Sequence, residues 1–163
     1  MHSLTWKATG YFKPIFRGAE SSPFVKFTFR SPRYRIWGAV IDALLDTGSP
    51  FTAMTPKDAT RFQIPFSKLP RDTKLPSISL GGYKFIPRLI NDAELIFKDG
   101  EGKRHSFEHD PFYALEPQLP REKWDENVYR LPNIIGMDFL KKKQAGVHLE
   151  PSSVKFVLEF KST

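Results

Sequence analysis

Ile41-Asp42-Ala43-Leu44-Leu45-Asp46-Thr47-Gly48-Ser49-Pro50 is the stretch that decides how this chain folds. An apolar run of strand type delivers one carboxylate, Asp46, into a turn built from Thr, Gly and Ser. Asp46-Thr47-Gly48 alone carries little weight, because a given tripeptide arises by chance in roughly a few per cent of chains this long. Taken alone it is equally an Asx-type turn closing a strand. Ala43-Leu44-Leu45 before it and Ser49 after it narrow the choice. So does Asn133-Ile134-Ile135-Gly136, two apolar residues and a glycine opening a helix, with Gly136 lying 90 residues beyond Asp46.

Outward from that stretch the dominant period is two. Val25, Phe27 and Phe29 alternate with Lys26, Thr28 and Arg30, as on a strand with one face buried. Val154, Phe156, Leu158 and Phe160 form one face of a C-terminal strand. Ile36–Leu45 and Ala93–Phe97 are further strands, and Lys98-Asp99-Gly100-Glu101-Gly102 reads as a hairpin turn. Helices are short and few. Thr55-Pro56-Lys57-Asp58 has the capping order of a helix start, and the helix should stop before Pro65. A second helix runs from Met137 to Lys143 with Gly146 as its stop. Pro111–Pro132, rich in Pro, charge and aromatics, reads as an irregular excursion. The expected fold is a mainly β single domain over 1–163, with its core at about 24–160 and residues 1–22 an extension of unknown role.

Composition bounds the function. Leu, Ile, Val and Phe make up about 28 % of the chain, above the roughly 20 % below which charged chains stay disordered. No apolar run reaches the ~18 residues of a membrane span, and no leader-like stretch follows Met1, so a cytoplasmic location and no membrane partner are the default expectation. With no cysteine, disulfides, thiol nucleophiles, zinc fingers and iron–sulfur clusters are excluded. The net charge of +7 favours acidic partners, but it is spread along the chain.

Three elements in order make the sequence resemble the retropepsin-like (retroviral-type) aspartic proteases. Ala43–Ser49 resembles their active-site loop, and Asn133-Ile134-Ile135-Gly136 with Met137-Asp138-Phe139-Leu140 resembles their apolar-apolar-Gly element and helix. Between them, Ile78-Ser79-Leu80-Gly81-Gly82-Tyr83-Lys84-Phe85 is similar to the flap hairpin that covers substrate. The resemblance implies a closed acid-protease barrel with one or two short helices, one lobe per chain. It further implies an aspartic endopeptidase that needs no metal or other cofactor and takes an extended polypeptide as substrate.

That chemistry uses two carboxylates sharing one proton, one ionised to activate water and one protonated to donate to the substrate carbonyl. The chain holds a single Asp-Thr-Gly and is too short for two lobes, so the second Asp46 would come from another copy in a C2 homodimer. By the resemblance Asp46 is catalytic, Thr47 braces the two loops across the dimer, and Gly48 allows close backbone approach. Ser49 donates its hydroxyl to Asp46. Ile78, Ser79, Leu80, Gly81 and Gly82 form the flap and bind substrate, and Ile134, Ile135 and Gly136 support the site from below.

Two other functions compete. A catalytically silent module of the same fold would dimerise and hold a peptide uncleaved. A basic nucleic-acid-binding β-domain would use Lys26–Arg35, where bases and aromatics interleave, but an amphipathic strand with a basic loop accounts for that stretch more simply, and nucleic acid is not expected as a partner. His105-Ser106-Phe107-Glu108-His109 matches a metal-site string that requires a helix. On a strand the two histidines stand about 13 Å apart, too far to share one zinc, so no metal site is expected.

Overall fold

The computed structural model describes residues 4–162. In chain order the strands are β1 (Thr5–Thr9), β2 (Tyr11–Pro14), β3 (Ser21–Ser31), β4 (Ile36–Leu45), β5 (Ala53–Met54), β6 (Ile78–Leu80), β7 (Tyr83–Ile90), β8 (Glu94–Lys98), β9 (Arg104–Glu108), β10 (Phe112–Pro117), β11 (Asn133–Ile135), β12 (Gly146–Glu150) and β13 (Lys155–Lys161). Three short helices intervene: α1 (Pro56–Arg61), α2 (Glu126–Tyr129) and α3 (Met137–Lys142).

The expected mainly β architecture holds. A ten-stranded sheet runs β6-β7-β10-β5-β11-β4-β3-β8-β9 with β2 beside β3, and a separate sheet runs β1-β13-β12. Among the described residues these pairings trace an open path, where a closed barrel was expected. The reason lies in β6 and β9: they belong to two different hairpins and pair only with β7 and β8.

The period-two reading of β3 is correct on its buried face, since Val25, Phe27 and Phe29 are all buried. Ile36–Leu45 is β4 itself, and the Asp99–Gly102 turn joins β8 to β9. Val154 departs from the pattern: it closes a 3-10 turn with φ +56° and is exposed, so the buried face begins at Phe156. Gly146 opens β12, and α3 ends earlier, at Lys142.

Pro111–Pro132 is the main correction. It contains β10, which lies between β7 and β5 inside the large sheet, and the added helix α2. Phe112, Tyr113, Ala114 and Leu115 are all buried, so no alternation marks the strand, as expected where both faces are covered.

Residues 1–22 are likewise structured over their described part. β1 pairs antiparallel with β13, and β2 with β3. Trp6 anchors β1 by stacking on His105 at 3.7 Å and on Phe160 at 4.5 Å between ring centroids. Below the site, Phe97, Phe107, Phe139 and Phe160 form a continuous aromatic cluster. A smaller core of Ala53, Ile78, Phe85, Tyr113 and Leu115 lies under the β6–β7 hairpin.

Candidate active site

Asp46 is placed by two strands that are distant in sequence. β4 pairs in parallel with β11, setting Leu44 beside Ile134 and Leu45 beside Ile135. The ladder continues one step, with the Asp46 N–H donating to the Ile135 carbonyl at 3.0 Å. The chain then turns, with the Ser49 N–H donating to the Asp46 carbonyl at 3.1 Å and the Gly48 N–H to Asp46 Oδ1 at 3.0 Å. One carboxylate oxygen is thus held by backbone while the side chain stays partly exposed.

Gly136 is where helix and loop meet. A Cβ there would lie 2.2 Å from the Phe51 carbonyl oxygen and 2.7 Å from that of Ser49, so only glycine lets the start of α3 pack against the 49–51 backbone. The Met137 N–H donates to the Ser49 carbonyl at 2.8 Å, tying α3 to the loop.

Ser49 differs from expectation. Its buried hydroxyl donates to the Phe51 carbonyl at 2.9 Å and accepts from the Phe51 N–H at 3.3 Å, not reaching Asp46. Pro50 has no N–H of its own, and the Ser49 side chain closes the turn around it. Thr47 and Gly48 are exposed at the loop tip.

The flap sequence forms the β6–β7 hairpin. Gly81 and Gly82, at φ +59° and +83°, make its two-residue turn, the left-handed pair such a hairpin needs. Gly81 rests against Leu131 across the cleft. Ile78 does not face the cleft: it is buried in the small core beneath the hairpin, because inward positions on a strand alternate with outward ones. Ser79 and Gly82 are exposed on the hairpin.

Asp46, Leu80, Gly81 and Ile134 come together around a cleft of about 440 Å³. Leu44, Leu131, Pro132, Ile15 and Phe16 give it apolar walls, and Arg17 and Arg130 add two cations. Residues 15–17 and 130–132 carried no motif. Their place in the cleft depends on the β2–β3 connection and on the segment leading into β11, which no local pattern reports.

A polar network lies beneath the loop. Thr52 accepts from the Gly136 N–H at 3.1 Å and donates to Asp138 Oδ1 at 2.8 Å, while buried His109 holds Asp138 Oδ2 at 2.8 Å through Nε2. A carboxylate only accepts, so Nε2 carries the hydrogen. Burial pushes Asp138 up, but the bonds from His109 and Thr52 outweigh it and hold the carboxyl below its ordinary range.

Asn133 is similarly committed. Its amide donates to the Asp42 carbonyl and to Asp58, and its oxygen accepts from the Thr55 N–H and hydroxyl. Burial likewise pushes Asp42 up, and bonds from Lys13 and Tyr11 more than offset this, so its pKa lies below the usual carboxylate value.

The histidines of the rejected metal string point to separate tasks, His105 to Asp99 and the Trp6 ring, His109 to Asp138. Among the described residues no group of three or more His, Asp or Glu side chains is arranged to hold a metal ion. No helix among them is long and apolar enough to cross a membrane.

No family profile and no curated protein matches the sequence. A crystal structure of a retropepsin-like aspartic protease from Rickettsia conorii superposes with a TM-score of 0.54 at 13 % identity, covering 100 % of this chain and 98 % of that one. The chain has the retropepsin-like fold. Within this retropepsin-like lobe the loop of Asp46, the β6–β7 hairpin and the β11–α3 junction fall around one cleft, in the order in which the sequence carries them.

Proposed function

We propose that the protein is an aspartic endopeptidase acting as a homodimer, with one Asp46 from each copy. The observation that carries this is the position of Asp46: a partly exposed carboxylate at the wall of an apolar cleft, held by the Gly48 N–H and roofed by a glycine hairpin. One lobe supplies one carboxylate, and a second copy completes the pair.

In that dimer the two carboxylates share one proton, since two like charges about 3 Å apart do not both ionise. The ionised Asp46 takes a proton from water, and the oxygen attacks the peptide carbonyl. The protonated Asp46 donates to the carbonyl oxygen. The resulting tetrahedral diol collapses as the amide nitrogen gains a proton and leaves as an amine. Substrate lies extended between hairpin and floor, with backbone hydrogen bonds to the hairpin giving affinity and apolar side chains filling the space near Leu44, Leu80 and Ile134. Thr47 meets its counterpart across the axis, and closure of Leu80, Gly81 and Gly82 excludes water.

The test is proteolysis of an unfolded protein from mildly acidic to neutral pH, with the natural chain and Asp46→Asn side by side. Cleavage by the natural chain, lost in a folded and dimeric Asp46→Asn, is expected. Equal cleavage by both overturns the assignment. No cleavage by a folded natural dimer that still binds peptide favours the silent module.

A further inference from the structure

We infer that the cleft selects polypeptides carrying Asp or Glu on either side of the apolar residues at the scissile bond, recognised by Arg17 and Arg130. This rests on the endopeptidase reading above and names its substrate class.

The cleft does not end at Asp46. A second hollow of about 400 Å³ adjoins it, and the two share Ile15, Phe16, Arg17, Arg130, Leu131 and Pro132. Arg17 and Arg130 are the only charged side chains lining both, so an extended chain running from one hollow into the other passes them.

Local structure holds each arginine in place. The Ala19 N–H donates to the Phe16 carbonyl at 3.1 Å with Gly18 at φ +90°, a turn that sets Arg17 at its second position. Arg130 follows α2, where its N–H donates to the Asn127 carbonyl at 3.2 Å. Asp125 caps that helix at the Val128 N–H and also accepts from the Tyr83 hydroxyl of β7, which ties Arg130 to the hairpin over the cleft.

The charge balance is one-sided. Asp46 is the one carboxylate lining the cleft, and in a dimer the catalytic pair holds a single negative charge against two arginines from each copy. In the second hollow Asp42 is occupied by Lys13 and Tyr11, and Asp58 by Asn133 and Arg61. Lys57, also lining it, acts on Asp42 only through its field. Arg130 pairs with Glu126 where both side chains are more than half exposed, and a substrate carboxylate can replace that partner at little cost. The spare charge is therefore positive, and the group it complements is a carboxylate. Leu44, Leu80 and Ile134 keep the centre of the cleft apolar, which leaves the acidic residues to the flanks. Because each copy brings its own two arginines, the preference holds on both sides of the cut.

The test uses three labelled peptides with one Leu-Phe core and Glu, Gln or Lys on both flanks, offered to the full natural chain and to Asp46→Asn. Asp46→Asn should bind the Glu peptide at least about fivefold more tightly than the Lys peptide at low salt, the gap narrowing as salt screens it. The natural chain should cut the Glu peptide with the highest kcat/KM. Arg17→Gln should shrink the gap, and Arg17→Glu should reverse it. Arg104→Glu changes the net charge equally on β9, at the other end of the sheet from β6, and should leave the gap in place. Equal affinity for the Glu and Lys peptides, or a gap moved as far by Arg104→Glu as by Arg17→Glu, overturns the acidic preference while cleavage that depends on Asp46 still supports the endopeptidase. A Glu preference that Arg17→Glu reverses, in a chain that cuts nothing, supports the recognition and overturns the endopeptidase. A folded chain that binds none of the three peptides overturns the recognition, and its failure to cut an unfolded protein overturns the endopeptidase as well.

Discussion

Beneath Asp46, backbone packs on backbone; above it, a hairpin tip stands nearly free. A Cβ on Gly136 would meet two carbonyl oxygens closer than 3 Å, whereas one on Gly82 would meet nothing within 4 Å. Gly136 is required for space, and Gly82 for its φ of +83°. The floor adds the Thr52–Asp138–His109 network and the aromatic cluster around Phe97 and Phe139. The hairpin adds the small core around Phe85 and the touch of Gly81 on Leu131. The same residue type thus admits close backbone packing beneath one carboxylate and supplies a left-handed turn in the hairpin above it.

Substitutions at each level break or sharpen that contrast. Gly136→Ala carries the largest expected effect, a loss above about 4 kcal/mol or failure to fold, since fixed backbone on both sides cannot yield. Denaturant unfolding of that variant measures it, and a loss under about 1 kcal/mol would show that the loop can give way.

Asp138→Asn comes next, at about 1–3 kcal/mol near neutral pH, from hydrogen bonds that the carboxylate makes and the amide cannot match on both sides. Its pH dependence follows from the direction of the shift. The folded carboxyl sits below its ordinary value of 3.8, so the stability it adds is complete above that value and drains away as pH falls through the lower folded one. The gap between natural chain and variant, followed by urea midpoint across acid pH, should therefore narrow. A gap that stays constant would assign the cost to shape and not charge.

Gly82→Ala should cost least in stability, about 1 kcal/mol, because only the left-handed φ is strained. Its signature is a several-fold loss of kcat/KM with little change in thermal midpoint. A loss of stability matching that of Gly136→Ala would erase the distinction between floor and cover.

Much of this is legible in the sequence. β3, β4 and the turn joining β8 to β9 follow from alternation and Asp-Gly chemistry, and Thr55-Pro56 marks α1 correctly. Asp46, Gly81 and Gly136 stand in the sequence as an ordered set and lie together in the fold. Other features left no local trace. β10 is buried on both faces, preceded by Pro111 and ended by Pro117, so its composition imitates a loop. Ser49 turned inward to close a turn around Pro50, a choice set by Phe51 and not by Asp46.

The sequence by itself determined the strand character of β3, β4, β8 and β13, the turn joining β8 to β9, and the order of the three motifs, because each depends on neighbours within a few residues. Only the tertiary structure decided the parallel pairing of β4 with β11, the insertion of β10, the return of β1 onto β13, and the convergence of residues 15–17 and 130–132 on the cleft. Alternation reports that a face is buried, but it does not carry the identity of what buries it. That identity follows from long-range pairing and side-chain fit.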